Sequence, residues 1–143
     1  MYSGKYAYGF DGTAMQLGNQ YHLVGVGMMQ IDAQGQITGF HTSTQTLVDG
    51  DAQLTVSRFT LKGTFGPRKE GFGADDLEAT ITFTSQDKDD NGDPRQVLKG
   101  TFSAVPNSSG SGEGFWLIST GAYNETTNSP ADEVVIGEAR KVG

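Results

Sequence analysis

The chain has 143 residues, with 10 Lys+Arg against 17 Asp+Glu for a formal charge of −7, 21 Gly and no Cys. That length suits one domain, expected over residues 1–143, around one core. The acidic balance argues against a nucleic-acid partner, and the lack of Cys excludes disulfides, thiolate-bound metals and a thiol nucleophile.

No apolar run reaches the roughly 18 residues of a membrane-spanning helix, so no membrane span is expected. No leader with a charged and an apolar region opens the chain. The expected location is therefore the cytoplasm, or outside the cell with a leader already removed.

Periodicity predicts β structure throughout. Fifteen Thr and regularly alternating aromatics suit a pleated, half-buried surface. The first predicted strand is Lys5 to Phe10, with Tyr6, Tyr8 and Phe10 on one face. The second is Tyr21 to Ile31, the third Gln36 to Thr46 and the fourth Gln53 to Phe65. In the fourth, the apolar phase changes between Val56 and Phe59, which predicts a bulge near Ser57 and Arg58. Leu77 to Thr84, Arg95 to Ala104, Gly114 to Ser119 and Glu133 to Val142 complete eight. Turn sequences such as Asp32-Ala33-Gln34-Gly35 and Asp90-Asn91-Gly92-Asp93 separate them.

Strands joined by hairpins form an antiparallel meander. With one apolar face, eight of them bury it and lose their edges by closing into an up-and-down barrel. A barrel of this size is either filled or holds one small ligand. Gly25, Gly27, Gly63 and Gly100 fall at inward positions, where glycine either bends the sheet or leaves space.

Gly4-Lys5-Tyr6-Ala7-Tyr8-Gly9-Phe10, Gly25-Val26-Gly27 and Ile31 to Gly39 resemble a group of small, largely uncharacterised bacterial β-barrel proteins. Phe115 to Thr120 and Val135 to Ala139 fit the end of the same pattern. In architecture that group is similar to the calycin, lipocalin-like and allene-oxide-cyclase-like barrels. The resemblance implies binding of an apolar small molecule, or its cyclisation or isomerisation, and it implies no particular catalytic residue. The one Trp, Trp116, lies in the seventh strand rather than near the first, where lipocalins carry theirs.

Two function classes follow. The first is a binding module for a small apolar or aromatic ligand, held by Tyr6, Phe10, Met29, Phe59, Phe83, Phe102 and Phe115. The alternative is a cofactor-free cyclase or isomerase acting on a flexible apolar substrate, with Tyr8, Tyr21 and His41 as candidates for proton transfer. Strand parity turns His22 outward and His41 inward.

Asp87-Lys88-Asp89-Asp90-Asn91-Gly92 matches the opening of a calcium loop, with Asp87, Asp89 and Asn91 as ligands. The twelfth position is Leu98, so an acidic hairpin turn is the expected reading and calcium the alternative; no other cofactor is expected. Alternating hairpins gather Asp11, Asp49, Asp51, Asp87, Asp89, Asp90, Asp93, Glu125 and Asp132 at one end, where the mouth is expected. Val26 and Met28 are candidates for a face that pairs two copies as a homodimer.

Overall fold

The computed structural model describes residues 2–16, 18–48, 54–68, 77–107 and 113–142. They form β1 (Gly4–Gln16), β2 (Asn19–Ile31), β3 (Gln36–Leu47), β4 (Leu54–Pro67), β5 (Leu77–Ser85), β6 (Val97–Asn107), β7 (Gly114–Asn124), β8 (Ser129–Pro130) and β9 (Asp132–Val142). Each long strand pairs antiparallel with the next, and β9 returns to β1. The β6–β7 pairing completes the ring. The fold is a closed, eight-stranded antiparallel meander barrel, with the two-residue β8 paired to the end of β7.

Several strands run past their predicted ends, β1 and β7 the furthest. β1 continues beyond Phe10 because Gly12 and Ala14 keep the inward parity with small residues where β9 comes close; a Cβ on Gly12 would lie 2.1 Å from the Val134 carbonyl oxygen. β7 continues beyond Ser119 through a bulge. Phe102 opposes Ser119 while Thr101 opposes Gly121, which leaves Thr120 as the extra residue.

The bulge expected near Ser57 and Arg58 is absent. The register runs unbroken from Thr42–Arg58 through Ser43–Ser57 to Thr44–Val56. Leu54 and Val56 face solvent at 66% and 50% exposure, so the apolar phase changes without a change of backbone phase. The inward positions above Phe59 are polar because they line the open end of the barrel.

The lower half holds the buried core. Tyr6, Met29, Ile31, Ile37, Leu61, Phe65, Ile81, Phe115 and Leu117 are buried there. Tyr6 and Phe65 pack on Phe115 with ring centroids 4.8 and 5.0 Å away. Rings of this size bury enough apolar area to dominate core energetics. No buried side-chain nitrogen or oxygen among the described residues lacks a partner.

Three of the four inward glycines lie under rings. A Cβ on Gly25, Gly27 or Gly100 would meet the ring of His41, Tyr8 or Phe102 at under 3 Å, whereas one on Gly63 would meet the Thr80 carbonyl oxygen. Val26 and Met28 face outward. His22 is exposed too, with Nε2 2.8 Å from Asp11 Oδ1.

Candidate functional site

The site is built by a cross-strand row. Tyr8 on β1 pairs with Gly27 on β2, and Gly27 pairs with His41 on β3. Two strand spacings separate Tyr8 from His41, about 9–10 Å. Gly27 presents no side chain between them. The phenol therefore reaches over β2 and its oxygen lies 2.8 Å from His41 Nδ1, with the two rings nearly parallel.

His41 is the hub of an aromatic cluster. Its ring centroid lies 5.1 Å from that of Phe83 and 5.9 Å from those of Phe10 and Phe59. Phe10 in turn stacks on Phe102 at 5.3 Å. Burial lowers the His41 pKa to about 4 and raises that of the Tyr8 phenol well above its ordinary value. Both side chains are therefore neutral at neutral pH.

Above this cluster the barrel is hollow. A cavity of about 90 Å³ has Phe10, Phe59, Phe83, Phe102 and His41 as its floor. That is well beyond the roughly 10–15 Å³ that one water occupies. The walls rise through Leu23, Val135 and Leu98 to a rim of Ser43, Gln45, Ser57, Gln96, Ser119 and Glu133. Ser119 Oγ accepts the Val135 N–H, and burial pushes the Glu133 carboxyl above the usual carboxylate range. These groups lie toward the acidic end, although Asp49 and Asp51 fall outside the described residues.

The structure brings Tyr8, His41, Phe10, Phe59, Phe83 and Phe102 together at or beside this cavity. It does not bring the other candidates there. Tyr6, Met29 and Phe115 belong to the core of the lower half, where the Tyr6 hydroxyl donates to the Tyr2 carbonyl. Tyr21 is half-buried between Ala14 and Leu47 and does not line the cavity.

Asp87, Asp89 and Asn91 lie in a tight hairpin. Asp89 Oδ1 accepts the backbone N–H groups of Asn91 and Asp93 at 2.9 and 3.0 Å, and Asp87 accepts the Arg95 N–H through its carbonyl. Among the described residues no three His, Cys, Asp or Glu side chains converge as for a metal ion.

Sequence reasoning missed the rim, above all Glu133. The signal available was register. Counting across from Phe10 through Gly25 arrives at Ser43 and then Ser57, all on the inner face. No family model, curated protein or solved structure matches this chain.

Proposed function

We propose that the protein binds a small molecule with an apolar or aromatic body in the cavity at the acidic end of the barrel. The observation that carries this reading is a hollow floored by four phenylalanine rings and rimmed by polar side chains, above the buried core of the barrel. A second hollow of about 210 Å³ at the opposite end, lined by Tyr2, Tyr6, Pro106, Glu113 and Phe115, is more open to solvent and lacks such a ring of polar side chains over an aromatic floor. Ligand sites have this build: mostly apolar walls with a few polar groups that fix orientation. The reading accords with the resemblance to lipocalin-like and allene-oxide-cyclase-like barrels.

Catalysis by Tyr8 and His41 as a cyclase or isomerase pair is the second reading, favoured by their hydrogen bond. Acid–base groups work best with a pKa near the operating pH. Burial takes these two away from neutrality in opposite directions, which places binding ahead of proton transfer.

Titration with toluene, followed by nuclear magnetic resonance, tests the proposal. The expected result is saturable shifts concentrated at His41, Phe10, Phe59, Phe83 and Phe102. A Ser57→Trp variant, which fills the mouth, should abolish them. Absence of any saturable shift in the wild-type protein overturns the reading.

A further inference from the structure

We infer that the cavity selects an uncharged aromatic molecule carrying a hydrogen-bond-accepting oxygen, such as an aryl ketone or aldehyde, and that the Nε2–H of His41 is the group that takes this oxygen. The inference rests on the proposed binding function and adds the chemical class of its ligand.

Among the described residues, Tyr8 and His41 share one hydrogen bond and neither makes another. A neutral imidazole carries one N–H, on either Nδ1 or Nε2. If Nδ1 carried it, both Nδ1–H and the phenol O–H would point at one contact. The phenol proton would then be a buried donor with no acceptor, since Tyr8 does not line the cavity. If Nε2 carries it, the Tyr8 O–H donates to Nδ1 and no proton of the pair is stranded inside the protein. The network assigns the Nε2–H form, and Tyr8 is the residue that fixes it.

Among the described residues Nε2–H is then a donor without a protein partner, on a residue only 8% exposed. No fully enclosed side-chain nitrogen among them lacks a partner, so Nε2 is in reach of the cavity that His41 lines. Gly25 gives it that opening, because any side chain there would cover it; a Cβ would come within 2.7 Å of Nε2. Around the donor stand the rings of Phe10, Phe59 and Phe83. A water at this point would find few of the further partners that hold a buried water. An acceptor oxygen attached to a flat apolar body satisfies the donor and the rings together.

Charge narrows the class. The cavity lining carries one acid, Glu133, and one exposed base, Lys99, and a carboxylate would have to pass the acidic end beyond them, against its field. A cation would meet the positive end of the N–H dipole. An uncharged carbonyl compound meets neither obstacle.

Acetophenone and cumene test this, because they have nearly the same shape and only the ketone has an acceptor. In a purely apolar pocket cumene, the less hydrated of the two, binds more tightly. The expected result is that acetophenone binds about fivefold more tightly than cumene, the worth of one neutral hydrogen bond. The His41 Nε2–H resonance of the ¹⁵N-labelled protein should shift only with the ketone. His41→Leu removes the donor itself and should erase the preference for the ketone. The wild-type comparison stands even if that variant folds poorly. Equal or tighter cumene binding, or a histidine spectrum showing Nδ1–H, overturns the inference and leaves the binding function standing. Failure of both compounds, with toluene also silent, overturns both.

Discussion

The imidazole of His41 lies directly over Gly25, so close that a Cβ at position 25 would be 2.3 Å from its Cε1. The ring is held from behind by Tyr8 and flanked by phenylalanines, so it has little freedom to retreat. Gly25→Ala should therefore cost roughly 1–3 kcal/mol, the usual range for overpacking a core. Urea unfolding measures this. Wild-type stability in that variant would mean that His41 does not occupy this position.

Stability should rise with pH on the acid side. His41 has a folded pKa of about 4 against 6.5 for the free side chain. Between those values the unfolded chain binds more protons, so acid favours unfolding. The stability is fully present above the unfolded value and is lost as pH falls toward the folded one, by roughly 3 kcal/mol at most. Glu133 acts in the opposite sense. Its raised pKa makes the folded state hold its proton longer, so stability falls as pH rises through the window above its ordinary value. Urea unfolding from about pH 4 to about pH 8 should show a steeper net rise in Glu133→Gln than in wild type. An unchanged profile would sink the Glu133 assignment.

The hydrogen bond between Tyr8 and His41 should appear as coupling. Tyr8→Phe strands Nδ1 in the core, and His41→Leu strands the phenol; each loses a partner that the double variant no longer needs. A double-mutant cycle should give an interaction of about 1–2 kcal/mol. Additive losses would show that the two side chains do not bond in solution.

Asp89 should matter as a turn residue. Its carboxylate closes the hairpin by accepting two backbone N–H groups. Asp89→Ala should lower stability by about 1 kcal/mol, as capping losses do. The loss should be the same in calcium and in a chelator, as read by thermal unfolding. A deficit seen only with calcium present would assign the loop to that ion.

The barrel was legible because alternation survives along most of each strand, as in Tyr6-Ala7-Tyr8-Gly9-Phe10. The eight barrel strands, the hairpins and the outward His22 follow from that pattern and from turn chemistry, whereas the two-residue β8 is too short to leave an alternation. The aromatic floor was visible for the same reason. The rim was not, because the upper inward positions face a hollow rather than a core. Ser57 turns in while Val56 turns out, which inverts the pattern and mimics a bulge. The true bulge at Thr120 lies among Ser119, Gly121 and Ala122, whose side chains are too small or too polar to mark a phase.

The division of the barrel into a half that holds the buried core and a half that holds the aromatic-floored cavity has a consequence for change over time. Residues such as Phe115 and Leu117 hold the fold together from below, with no part in lining the cavity. Ser43, Gln45, Ser57 and Gln96 line it and lie outside the buried hydrophobic core. Under the proposed binding function, exchanges at those four positions would retune what is bound at little risk to folding. One scaffold of this kind would then be handed from one ligand to another by a few substitutions at its brim, while its base is inherited unaltered.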